Sequence, residues 1–144
     1  MTAAKRIEEL QTLLDRGLAE GIGVGHSLGV MCAELDKGRT VYTLKPSLTQ
    51  VNAMFTLHGG VLATLMDTAM GSAIFTELPD STAYTTLELK TNFIRSVAAD
   101  DGELRCEATT IHVGRRTATA QAEIRAADGK LVAHATCTCL IQSF

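Results

Sequence analysis

Between Pro46 and Thr76 only one side chain is charged, Asp67, and its neighbours Val61, Leu62, Leu65, Met66, Ala69, Met70, Ala73 and Ile74 are apolar. A carboxylate in such company is costly to hold without hydrogen-bond donors, so Asp67 is the first candidate for chemistry. Just upstream stands Asn52-Ala53-Met54-Phe55-Thr56-Leu57-His58-Gly59-Gly60. Paired glycines let a carbonyl-bearing ligand approach the backbone, and the free N–H groups at a helix start point at negative charge. An acid and an oxyanion hole are the parts needed to attack a carbonyl. Each residue also has a plainer reading. Thr64, Asp67, Thr68, Gly71 and Ser72 would form a polar stripe facing solvent, the glycines a turn, Asn52 a loop-forming residue and His58 a capping or core imidazole.

The elements that must position these groups follow from periodicity. Residues 60–77 have helical spacing and are apolar almost all round, which predicts a buried central helix. Ile7, Leu10, Leu13 and Leu14 predict an amphipathic helix over 3–16, ended near Gly17. Glycines 21, 23 and 25 then make a flexible entry to a strand near Ser27–Leu35, and Asp36-Lys37-Gly38-Arg39 turns into a second strand, Thr40–Leu44. Past the central helix the period becomes two. Leu87, Leu89 and Phe93 alternate with Glu88, Lys90 and Asn92, and Asp100-Asp101-Gly102 closes this strand. Leu104, Cys106 and Ala108 mark the next, and Ala118, Ala120, Ala122, Ile124 and Ala126 the one after it. Leu131 to Ile141 form the last, beyond the turn at Asp128-Gly129. This predicts an antiparallel meander whose alanines leave room for the helix. An α+β protein with a long central helix wrapped by a curved antiparallel sheet of about five to six strands is the hotdog arrangement. No repeat or linker divides residues 1–144, which read as one domain.

Composition narrows the function. The chain has 144 residues, 46% of them hydrophobic, and a net charge of −3 with scattered basic residues; it has no electrostatic footprint for nucleic acid or an anionic membrane. The uncharged run before Asp67 is too interrupted for a membrane span. Cys32, Cys106, Cys137 and Cys139 lack the C-x-x-C spacing of a zinc or redox site. Cys137 and Cys139 share a strand face at roughly 6–7 Å, near or beyond disulfide reach. Four reduced thiols and a charged N-terminus predict a cytoplasmic protein with no bound metal.

Taken together, N-x5-HGG-x6-D-x3-G (Asn52 to Gly71), Thr86-Leu87-Glu88-Leu89-Lys90-Thr91-Asn92-Phe93-Ile94-Arg95 and Gly114-Arg115-Arg116-Thr117 closely resemble the PaaI-type acyl-CoA thioesterases of the hotdog superfamily. The likeness runs from about Asn52 to Ile141, and three motifs agree in order and spacing. It implies that Asp67 acts as general base or nucleophile at the thioester carbonyl and that Gly59 donates its N–H to the thioester oxygen. Asn52 would place the thioester or the water, His58 orient the site, and Thr86 hold the water, with Thr85 as the alternative if the register slips by one. Arg115, Thr117 and Arg95 would contact the coenzyme's pantetheine or phosphates. The site would be shared across a homodimer, dimers pairing into a homotetramer, with acyl-CoA as substrate and no cofactor. Where the family commonly has proline after the strand's arginine, this chain has Ser96-Val97. Two rival readings are a hotdog hydratase or dehydratase, which pairs a histidine with a carboxylate, and a non-catalytic acyl-CoA-binding module.

Overall fold

The computed structural model describes residues 2–144. In chain order the elements are α1 (Ala3–Glu20), α2 (Val24–Leu28), β1 (Val30–Asp36), β2 (Arg39–Leu44), α3 (Gly59–Phe75), β3 (Thr82–Phe93), β4 (Leu104–Val113), β5 (Thr117–Arg125) and β6 (Leu131–Ser143). The six strands form one antiparallel sheet in the order β1-β2-β4-β5-β6-β3. It wraps α3, and this is the hotdog architecture.

Helix and sheet meet through small residues on one side and large ones on the other. Leu62, Leu65, Met66, Ala69, Met70, Ala73 and Ile74 of α3 are buried, as are Cys106, Ala108, Ala118, Ala120, Ala122, Ala133 and Ala135 of the sheet. The alanines alternate with polar residues along each strand, so one face is lined with methyl groups and α3 can lie close against it.

Three expectations need correction. α1 does not end at Gly17; it runs one turn further, because Leu18, Ala19 and Glu20 are good helix formers and the first residue that turns the chain left-handed is Gly21 (φ 66°), whose N–H bonds Gly17 O. The glycine-rich entry is not an open loop. Val24–Leu28 closes into a short helix capped by Gly29 (φ 75°), which delays β1 to Val30. Third, the strands after α3 are not one meander. β4, β5 and β6 follow one another, but β3 pairs with β6 at the far edge. The link from β3 to β4 is residues 94–103, too long for a tight hairpin, and it runs past the chain that enters α3: Leu57 N–H donates to Val97 O at 2.8 Å, and Val97 is buried.

β3 carries a bulge that no periodicity announced. Thr86 pairs with Cys139 and Glu88 with Thr138, leaving Leu87 as the extra residue, 58% exposed. A bulge changes which face alternate residues occupy. Tyr84 and Thr86 before it, and Leu89, Thr91 and Phe93 after it, therefore share the face of Cys137, Cys139, Ala133 and Ala135.

α1 is held to the end of α3 by a buried arginine. The Arg6 guanidinium donates to Thr82 O at 2.7 Å, Phe75 O at 3.4 Å and Glu9 Oε2 at 2.9 Å, and lies 3.8 Å over the Phe75 ring. Arg6→Ala strands two carbonyls and removes the ring contact, and is expected to cost about 2–3 kcal/mol. Chemical denaturation of the purified variant checks this, with Arg16→Ala on the exposed face as the near-neutral control.

Candidate active site

Asp67 lies in the middle of α3 and is half-buried. Its Oδ1 accepts a hydrogen bond from Thr86 Oγ1 at 2.9 Å. The bulge at Leu87 makes this possible, because it keeps Thr86 on the inner face without turning Leu89 and Phe93 outward. Thr85, the other candidate, donates to Gln142 Oε1 on the opposite face, so Thr86 is the threonine at the carboxylate. Thr86 Oγ1 also lies 3.8 Å from Cys139 Sγ.

One turn further along α3, Tyr84 packs against Gly71. A Cβ on Gly71 would sit 2.3 Å from the Tyr84 hydroxyl oxygen, so the glycine is there because the ring is. Burial, and after it the negative charge of Asp67, pushes the Tyr84 phenol up to about 12. The phenol is therefore neutral beside the carboxylate. The neighbouring Cys137 thiol is held well above its usual range by its hydrogen bond with Cys139 and by burial, and no disulfide joins the pair. The plainer alternative, a stripe facing solvent throughout, is not formed. Gly71 and Ser72 are buried, Ser72 hydrogen-bonds the Tyr42 hydroxyl at 2.7 Å, and Thr64, Asp67 and Thr68 are half-buried.

The start of α3 leaves one donor free. His58 caps the helix, its Nδ1 accepting from Gly60 N–H at 2.8 Å, which satisfies one of the free donors of the first turn. Val61 and Leu62 donate to His58 O at 2.9 and 3.3 Å. Among the described residues the Gly59 N–H finds no acceptor. Gly59 lines an open depression of about 300 Å³ with Asn52, Thr56, Leu62, Phe93 and Arg95, and the Phe93 ring is 3.3 Å from where a Gly59 Cβ would be.

Asn52 holds a turn. Its Oδ1 accepts from Met54 N–H and Thr56 N–H, and its Nδ2 donates to Thr56 Oγ1. Arg95 borders the Gly59 depression. Arg115 in the β4–β5 turn and Thr117 at the start of β5, both exposed, lie towards the opposite end: Thr117 pairs with Leu140, which pairs with Thr85. The structure thus gathers Asp67 with Thr86, and Gly59 with His58, Asn52 and Arg95, in two separate groups. Eight residues of helix at 1.5 Å each put them about 12 Å apart along α3. The approach of Phe93 to Gly59, the contact of Tyr84 with Gly71 and the place of Cys139 beside Thr86 were not read from the sequence. The one available signal was Gly71, a poor helix former inside a helix, which marks a close approach.

Residues 54–133 match the thioesterase superfamily. A conserved protein of Pseudomonas aeruginosa is 35% identical, covering 84% of this chain and 95% of that one, with a TM-score of 0.78. The Escherichia coli PaaI protein of the phenylacetic acid degradation operon is 25% identical over 88% of each chain, with a TM-score of 0.78. A thioesterase of Haemophilus influenzae, 23% identical over 95% of this chain and 90% of that one, shares the fold with a TM-score of 0.82. The comparison with functionally curated proteins gave no match. The chain belongs to the thioesterase superfamily, as a PaaI-type hotdog protein, and is a thioester hydrolase.

The Tyr84–Gly71 contact sets the wall of the carboxylate group. Gly71→Ala forces the ring away and is expected to cost about 1–3 kcal/mol, lowering the melting temperature by several degrees. Adding Tyr84→Leu should recover part of that loss in the same thermal scan.

Proposed function

We propose that the protein hydrolyses an acyl-CoA thioester to free acid and CoA at a site shared by two subunits. The observation that carries this reading is the separation just described. Asp67 with Thr86 and the unbonded Gly59 N–H are complementary halves of a carbonyl-attacking site, and a reacting atom about 3 Å from both cannot be served within one chain.

A second copy supplies the missing half by a simple operation. β3 is an outer strand of the sheet, its outward edge is free to pair, and Leu87, Phe93 and Ile94 are exposed there, Phe93 at 51%. α3 runs antiparallel to β3, since Gly59 meets Phe93, Asp67 meets Thr86 and Gly71 meets Tyr84. A two-fold axis pairing β3 edges near Leu89 sets Thr86 level with the partner's Phe93, and so Asp67 level with the partner's Gly59. Arg115 and Thr117 then flank one side of the cleft and the partner's Arg95 the other, where the coenzyme phosphates would lie. Exposed Met54 and Phe55 offer further apolar surface for such dimers to pair into a tetramer.

In this reading the partner's Gly59 N–H binds the thioester oxygen as it gains negative charge. Asp67, positioned by Thr86, either takes the proton from the attacking water or attacks the carbonyl itself and is released by water. The carbon–sulfur bond breaks, CoA leaves as thiolate and is protonated, and the acid is freed. The chemistry calls for no cofactor, because a thioester is already activated. His58 spends its Nδ1 on the helix cap and is not paired with Asp67 within the chain, which favours hydrolysis over hydration of an enoyl thioester. Crotonyl-CoA separates the two, since hydration removes enoyl absorbance and hydrolysis releases thiol; binding with no thiol release from a broad acyl-CoA panel would indicate a non-catalytic module.

Asp67→Asn should fold and assemble normally yet lose roughly 10²–10⁴ in thiol release. Hydrolysis near the wild-type rate would remove Asp67 from the mechanism. Gly59→Pro removes the N–H at a position where proline is tolerated and His58 is already extended (φ −64°, ψ 134°); Gly59→Ala, which brings a Cβ equally close to Phe93 but keeps the N–H, is the steric control, and the expected loss beyond it is about 10²–10³. Refolding the two inactive variants together tests the shared site. Half the dimers are mixed and each holds one intact site of two, so about a quarter of wild-type turnover should return for a two-fold dimer. No recovery, with mixed dimers shown by mass spectrometry, would place both groups in one subunit's site.

A further inference from the structure

The inner wall of β3 carries a hydroxyl that the chain itself leaves unused. Tyr84 stands two positions before Thr86 on the same face, and its phenol oxygen would lie 2.3 Å from a Cβ on Gly71. Among the described residues this hydroxyl makes no hydrogen bond. Since none of their sealed side-chain polar atoms lacks a partner, it must be open to solvent, and Tyr84 is indeed only half-buried. The other tyrosine differs: the Tyr42 hydroxyl is engaged by Ser72 at 2.7 Å. Burial, and after it the charge of Asp67, keeps the Tyr84 phenol protonated, so it stands near a carboxylate as a free donor.

Asp67 is itself only half satisfied. Its Oδ1 takes the Thr86 hydrogen at 2.9 Å, whereas Oδ2 has no partner among the described residues. Asp67 and Gly71, four residues apart, share a face of α3, where side chains start about 5–6 Å from one another. A water making two hydrogen bonds of about 2.8 Å spans about 4.5–5.5 Å between its partners. The phenol resting on Gly71 and the carboxylate are therefore about one water apart.

We propose that Tyr84 holds the attacking water, its O–H donating to the water oxygen while the water donates to Asp67 Oδ2. The proposal rests on the hydrolase reading and deepens it. Two fixed bonds leave a lone pair of the water to meet the thioester carbon. As the new carbon–oxygen bond forms, the shared proton passes to Asp67 and the carbonyl electron pair moves onto the oxygen at the partner's Gly59 N–H. When that pair returns, the carbon–sulfur bond breaks, its electrons leave on the CoA sulfur, and Asp67 gives up its proton to the thiolate by way of solvent. Tyr84 neither gains nor loses a proton; it sets the orientation of the water.

Tyr84→Phe keeps the ring on Gly71 and removes only the hydroxyl. It should melt close to wild type and lower kcat about 10- to 100-fold with KM within about twofold. A second variant carries 3,5-difluorotyrosine in place of Tyr84, which makes the phenol more acidic. Its kcat should come within about threefold of wild type at about pH 6 and fall as pH rises through the lowered phenol ionisation, because a phenolate cannot donate. The wild-type phenol, held up to about 12, should produce no such fall below about pH 10. A ring that only packs would give no difference between the two profiles, and the fluorinated protein decides the matter if Tyr84→Phe fails to fold. One turnover in heavy-oxygen water, with enzyme in excess, should place the label in the free acid. Label on the Asp67 peptide would mean that Asp67 attacks the carbonyl and would overturn the proposal. Full activity of Tyr84→Phe, or its full activity beside a loss in Thr68→Val, the neighbouring hydroxyl on α3, would also overturn it and leave the hydrolase reading standing. No thiol release by wild type from any acyl-CoA would overturn both.

Discussion

A carboxylate held in an apolar helix has to be given a donor, and in this protein one hydroxyl, that of Thr86, provides it. Much of the structure around the site follows from that bond. Thr86 faces α3 only because β3 is in register with β6 up to Cys139 and bulges immediately afterwards. β3 lies at the sheet edge beside β6 only because the chain crosses from β3 to β4 through residues 94–103. The crossing strand passes the entry to α3, where Leu57 and Val97 hydrogen-bond, so the same connection that puts Thr86 in place also frames the helix start that carries Gly59.

The packing beneath is equally constrained. The sheet shows α3 a surface of alanine and cysteine, and α3 answers with leucine, methionine and isoleucine. Small residues under a helix let it approach closely, and close approach in turn brings Thr86 and Tyr84 within contact of the helix's polar residues. Gly71 marks the point where the fit is tightest. Each large apolar side chain buried this way is worth roughly 1.5–3 kcal/mol, more than enough to offset one half-buried acid that has a hydrogen-bond partner.

The start and the middle of α3 do different electrostatic work. At its start, three of the four N–H groups are satisfied by His58, through its ring or its carbonyl, and the remaining one belongs to a glycine with no side chain of its own to cover it. Two turns on stands the acid. A single helix cannot fold these groups onto one another, and this rigidity is why the proposed chemistry requires a second subunit. The outer edge of β3, running antiparallel to α3, offers that subunit a geometry in which unlike ends meet.

The sequence by itself determined the elements and put forward the candidates. Helical spacing without charges announced α3, alternating alanines announced the sheet that covers it, and the N-x5-HGG-x6-D-x3-G block named Asp67, Gly59 and His58 before any coordinates, because these features depend on local periodicity and on residue chemistry that short segments carry. It put Thr86 first at the acid with Thr85 as the alternative, but it could not reveal that β3 leaves the meander for the edge or that the glycine-rich entry closes into α2. Nor could it show that Asn52 spends its amide on a turn, or that Phe93 covers Gly59. Those outcomes depend on which strands pair and in what register, on one extra residue in one strand, and on side chains far apart in the chain competing for the same space; such long-range choices are made only when the whole core packs at once.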